Sequence, residues 1–398
     1  MKLLYLEARK GILRRYVLVA LTLFLCLNVI KINADYRAGE IRPIAANNDD
    51  MQNAYSQIYE RARGPVTEET IGFITSEYHR LRNLTADGTY SRERTKDTYS
   101  GYLFGDFYLL HKYFYPNAEY TVKYPSRMNN VLAQAKENVD FYLHTGNTAD
   151  AARNSYILRH YANRSIPEFH LYDGWDALLS YDFSDLLILL LLALTVSPMF
   201  TREKENKMTL ILSSSKRGKW PLVASKCGAV VLLSVALTAL FALCNVLTFG
   251  LLCGFEGWNS PLYAIENYQY TPFSGSILLF YLLNVNLKAI GFSIMGLVLV
   301  LLSALCEKTL TPCLVGLGFG VAFCYFSGWA VSAVWWKQAL SCISPLTLLQ
   351  GWLLLKNLYG IGVGETYVLS LYLLLVIQLV FASLLVFLIW RKSCCALK

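Results

Sequence analysis

ATP chemistry would need a glycine-rich loop ending in Lys followed by Ser or Thr, because backbone N–H groups must converge on the phosphates. The nearest stretch, Gly218-Lys219-Trp220, has neither the upstream glycine nor the hydroxyl residue, so the chain does not use ATP in that way. Metal chemistry would need paired ligands, yet there is no H-E-x-x-H helix and no paired Cys-x-x-Cys site, and the closest histidines, His160 and His170, are ten residues apart. No catalytic residue and no metal ligand is therefore assigned. Ion-coupled transport would place ionisable groups at mid-membrane depth, whereas Asp185, Glu307 and Glu365 fall at the ends of apolar runs. What remains is polar side chains set in or beside apolar runs. Asn245, Asn284, Asn286, Lys288 and Trp352 are candidates for a translocation path or outer gate. Asn28, Asn245 and the Gly316, Gly318, Gly320 run also fit close helix packing.

The elements that must position these residues are membrane spans. Of the 398 residues, 55% are hydrophobic and only 16% charged, and the apolar residues come in uninterrupted blocks that a soluble fold of this size does not cover. A span needs roughly 20 apolar residues, which predicts six, at 16–33, 184–200, 222–252, 287–306, 309–335 and 366–390. The fold class is thus an all-α polytopic membrane protein, its first span an uncleaved anchor. Residues 1–15 suit a helix along the inner interface, or simply the flank of that span.

Residues 34–182 differ in character. They hold 17 of the 27 tyrosines, all five histidines and none of the ten cysteines, so disulfides do not hold this domain together. Thr67, Ser126 and Thr148 are the predicted N-caps of helices near 68–83, 126–144 and 149–162, giving a mostly helical domain with an irregular aromatic middle, Tyr102 to Tyr115, that packs as core or touches the membrane surface. With the N-terminus inside, the cytoplasmic segments 1–15, 201–226, 307–308 and 391–398 carry 16 basic residues against four acidic ones, although the whole chain is only +8. That asymmetry predicts both termini in the cytoplasm and 34–182 outside, and it accounts for the positive charge without a nucleic-acid partner.

Two apolar stretches exceed one plain span. Asn284, Asn286 and Lys288 predict a break that leaves 274–286 as a short outer interfacial helix, with the span starting near Ala289 and Lys288 snorkelling outward. After the fifth span, Trp335, Trp336, Lys337 and Ser344-Pro345 introduce a further helix or hairpin over 331–365 that dips into the outer leaflet, anchored by interfacial Trp and Lys.

One inner connection, 201–221, is structured. Thr201 is placed to cap a helix over 202–212, with Met208, Leu210, Ile211 and Leu212 as apolar contact surface, and Pro221 suits the first turn of the next helix. Phe200, Glu203 or Glu205, Leu210 to Ser213, Lys216 to Gly218, Lys226 and the approach from Gly174-Trp175-Asp176 to Asp185 together resemble the type-2 ATP-binding cassette (ABC) exporter permeases of Gram-positive bacteria. The resemblance covers about 176–390 plus the first span. It implies that Arg202, Glu203, Glu205, Met208, Leu210 and Leu212 form a coupling helix seated in a separate ABC ATPase subunit, which alone would bind ATP and Mg. It also implies that outer re-entrant helices cap a translocation path, that two permease copies pair in the plasma membrane, and that the cargo is an amphipathic peptide, antibiotic or lipid-like molecule. The large outer domain departs from minimal members. A sensor or assembly factor whose outer domain binds a ligand is the alternative.

Overall fold

A computed structural model of the chain describes residues 14–86, 98–207, 220–332 and 334–395. From α1 (Arg15–Arg37) the chain enters a head containing α2 (Asp49–Ala62), β1 (Gly64–Pro65), α3 (Glu68–Ala86), α4 (Leu103–Leu109), α5 (Tyr115–His144), α6 (Thr148–His160) and β2 (Glu168–Phe169), where β1 pairs antiparallel with β2. It returns through α7 (Asp173–Ser180), α8 (Phe183–Val196) and α9 (Pro198–Glu205). Then come α10 (Trp220–Cys253), α11 (Ile277–Leu305), α12 (Leu310–Ser327), α13 (Trp335–Ile343), a tight turn Pro345–Gln350 and α14 (Gly351–Leu354). A hairpin of β3 (Gly360–Val363) and β4 (Thr366–Leu369) leads into α15 (Ser370–Cys395).

Among the described residues six helical segments are long and apolar enough to cross a membrane, which makes a multi-pass α-helical membrane protein the coarse description of the fold. α11 is its axis: 78% of its apolar window is buried in protein, against 17–22% for α1, α12 and α15, whose faces are left for lipid. Small residues let neighbours approach this axis. A Cβ on Gly291 would lie 2.8 Å from the Pro345 carbonyl oxygen, so the Pro345–Gln350 turn rests directly on α11.

The head has its own core, where Tyr55, Ile58, Ile74, Leu109 and Phe114 are buried. The aromatic run after Tyr102 forms α4 and a π-helical turn, Leu110–Phe114, rather than an irregular segment; Leu109, Leu110, Tyr113 and Phe114 are buried, whereas Tyr102 and Phe104 are exposed. Lower in the head, tyrosine hydroxyls fasten α5 and α6 to the connection between α10 and α11. Tyr120 donates to the Tyr263 carbonyl (2.7 Å), Tyr161 to that of Tyr270 (2.5 Å), and the Arg164 guanidinium to that of Thr271 (2.9 Å). Buried hydroxyls thus satisfy loop carbonyls that would otherwise be unpaired.

Several sequence expectations are corrected. No break occurs at Asn284: α11 is one helix of 29 residues, about 43 Å long at ~1.5 Å per residue. Asn284 and Asn286 donate to the carbonyls of Phe280 and Leu282 one turn back (3.1 and 2.8 Å), so their polarity is absorbed without unwinding. The expected interfacial helix 274–286 is mostly the start of that span, capped by the Ser276 side chain, which accepts from the Leu279 N–H. The fifth span stops at Ser327 instead of 335. Ser126 caps nothing, because α5 runs on through Pro125. The helix at 148 is capped by Asn147, not Thr148. Thr201 lies inside α9 with its hydroxyl on the Ser197 carbonyl (3.0 Å), so no new helix starts there.

Candidate functional site

Where the head meets the bundle, the C-terminal end of α1, the α7–α8 corner, the end of α12 and residues 346–352 enclose an open cleft of about 860 Å³. Part of its lining is apolar, with Leu186 and Leu189 from α8, Phe249 from α10, Phe292 from α11, and Leu346, Leu349 and Trp352. The rest of the lining is acidic, with Asp35, Glu40, Asp173, Asp176, Asp182 and Asp185, against Lys31 as the one cation among the lining residues. The corner between α7 and α8 explains the clustering, since it brings the acidic approach to the second span against the end of the first. Lys31 is paired with Asp35. Lys288, at 2.8 Å from Asp185, is paired too and does not snorkel. Asn267 donates to Asp176 at 2.6 Å.

Beside the cleft, Asn245, Asn284 and Lys288 do come together, with Ser184 and Asp185, around a void of about 20 Å³ between α8, α10 and α11. That is room for about one water, so in this structure these side chains pack against one another. Asn28 donates to Asn245 (2.6 Å), Asn245 to Ser184 (3.1 Å) and Tyr181 to Asn28 (3.1 Å), tying α1, α8 and α10. Asn286 is exposed on α11, away from both spaces, and Trp352 is the one expected path residue on the cleft itself.

At the opposite end the charged phrase is turned inward. Lys226, near the start of α10, is completely buried, with Nζ 2.6 Å from Glu203 and 2.8 Å from the Met199 carbonyl, over the Phe200 ring. Lys204 donates to the carbonyls of Ala304 and Cys306 (2.6 and 2.9 Å), which α11 leaves open at its C-terminal end. Glu205 accepts from the Thr309 N–H (2.9 Å) and hydroxyl (3.0 Å) at the N-terminal end of α12. Ser303 donates to the Ser197 carbonyl at 2.7 Å. Glu203 and Glu205 are therefore bonded within the chain, and Arg202 is exposed. Met208, Leu210 and Leu212 lie outside the described residues.

The acidic lining escaped sequence reasoning. Its one signal was the run of carboxylates at the head-side ends of the first two spans, in a chain otherwise net positive. Among the described residues no group of three metal-ligating side chains converges. No protein-family model, curated protein or solved structure matches the chain.

Proposed function

We propose that the chain is the permease subunit of an ABC exporter, moving or extracting an amphipathic substrate, driven by a separate ATPase subunit and working beside a second permease copy. In this reading both ends of the chain are cytoplasmic and the head is outside. The supporting observation is that the helices joined at the charged end are the helices that line the cleft. Glu203–Lys226 ties α9 to α10, Lys204 ties α9 to α11, and Glu205 ties α9 to α12. α8, which runs into α9, and α10, α11 and α12 all contribute cleft wall. Helices transmit displacement along their length, so a pull on α9 reaches the cleft walls through these bonds. Arg202 is exposed on α9, and Leu210 belongs to the apolar part of the expected coupling helix. Affinity capture of the tagged chain from its native membrane tests the proposal. An ATP-hydrolysing subunit retained by the wild type and lost from Leu210→Asp supports it; capture without such a subunit contradicts it.

A further inference from the structure

We propose that His170 is a pH-sensitive latch: its imidazolium, formed as the pH falls, fastens the head to the connection between α10 and α11 through Tyr59 and Glu256. The imidazole stands just after β2, and its side chain is 12% exposed. Nε2 faces a Glu168 carboxylate oxygen at 3.2 Å, and Nδ1 faces the Tyr59 hydroxyl oxygen at 3.3 Å. That hydroxyl, on α2, has a single proton, and its nearer acceptor is the Glu256 carboxylate at 2.7 Å. A hydroxyl that donates to Glu256 can only accept from Nδ1, and a carboxylate can only accept from Nε2. Both ring nitrogens therefore face acceptors. A neutral imidazole has one N–H and leaves its other nitrogen lone pair to lone pair, whereas the imidazolium has two and satisfies both contacts. With neutral His170 the Tyr59 proton is contested between Nδ1 and Glu256; with the cation it goes to Glu256 alone.

The charges around the ring favour the same state. Glu168 comes from β2, Glu60 from α2 and Arg63 from just beyond its end, and Glu256 from the connection. Arg63 is shared between Glu60, at 2.7 Å, and Glu256. Among the described residues, three carboxylates thus stand against one guanidinium, and an imidazolium brings the group closer to balance. Tyr172, whose ring is edge-on to the imidazole at 6.2 Å, stays neutral because burial pushes its hydroxyl up to about 12. The connection lies close against the ring: a Cβ on Gly257 would sit 3.3 Å from the His170 Cβ. Trp175 on α7 donates its Nε1–H to the Glu256 carbonyl at 2.8 Å. Glu256 is therefore held through its backbone from α7 and through its side chain from α2, and the Tyr59 bond sets how firmly the head sits on the connection. His170 lines an open groove with Phe255 and Trp258, which gives solvent protons access to the ring. The latch needs no ATPase, so it stands or falls apart from the transport proposal.

The test is hydrogen–deuterium exchange of residues 254–260, which include the bonded N–H groups of Gly254 and Ser260, in the full chain in phosphatidylcholine nanodiscs. It is run at about pH 8 and about pH 5.5, on either side of the histidine range and above that of glutamate. Each variant is compared with wild type at the same pH, so the chemical exchange rate cancels. The expected result is wild-type protection about fivefold above that of His170→Gln at the acidic pH and equal to it at the basic pH, fivefold being the upper end for a partly exposed charge contact. Tyr59→Phe keeps the ring and removes the hydroxyl, and is expected to lose the acid-induced gain as well. In a titration of the wild type the gain should share its midpoint with the imidazole ¹⁵N signals that His170→Gln removes from the spectrum. Wild-type protection equal at the two pH values, protection greater at the basic one, a gain that persists in either variant, or a gain whose midpoint departs from that of the ¹⁵N signals would each overturn the latch. Should His170→Gln fail to fold, persistence or loss of the gain in Tyr59→Phe decides alone.

Discussion

Replacing Lys226 by Met isolates the buried ion pair that holds the charged end together. The ammonium is wholly buried, 2.6 Å from Glu203, whose side chain is only 16% exposed. Met keeps most of the stem volume, so the loss is electrostatic and little cavity is left. It strands the Glu203 carboxylate and the Met199 carbonyl, and removing one member of a buried pair costs about 3–5 kcal/mol. Glu203→Gln strands the ammonium in turn. The double variant Lys226→Met/Glu203→Gln removes both charges, so it is expected to cost less than the two single changes summed, with a coupling of about 1–3 kcal/mol. The assay is reversible unfolding of the purified chain in bicelles for all four proteins of the cycle. A Lys226→Met cost below about 1 kcal/mol, or additivity within ~0.5 kcal/mol, refutes the argument.

Helix packing gives a second expectation. A Cβ at Gly316 would collide with Leu299 and one at Gly320 would sit 2.7 Å from Leu189, whereas Gly318 faces open space, so Gly316→Ile is expected to destabilise by about 1–3 kcal/mol and Gly318→Ala to be neutral in the same unfolding assay. In the head, burial pushes the Tyr55 and Tyr172 hydroxyls up to about 12, and the Tyr124 hydroxyl as far despite the opposing pull of Arg164. The unfolded chain releases these protons near pH ~10 while the folded chain keeps them, so stability should fall as pH rises from about 10 to 12. Spectrophotometric tyrosine titration beside unfolding at each pH checks this; stability flat across that window contradicts it. Topology is checked by labelling: a single cysteine placed at the exposed Phe141 should react with a membrane-impermeant maleimide on intact cells, and one at the exposed Arg202 only after lysis.

The spans were legible because runs of about 20 apolar residues have no other use in a chain this size. What misled was polarity inside them. Asn284 and Asn286 look like a break, yet each amide bonds back one turn, a solution open to any helix and invisible in the residue pattern. Lys288 looks like an anchor because its partner Asp185 stands 103 positions away. Lys226 looks like one more inner positive charge, and only three-dimensional packing reveals it as a buried cation. The cleft was illegible for the same reason: Glu40 and Asp182 lie far apart in sequence and meet only because α1 and α8 end side by side.

The most direct test of the transport account is ATP hydrolysis by the captured complex in nanodiscs. The account predicts that Lys226→Met, which cuts the tie between α9 and α10, lowers the hydrolysis rate while the ATPase subunit stays bound. A hydrolysis rate that Lys226→Met leaves unchanged while the ATPase subunit stays bound would contradict it.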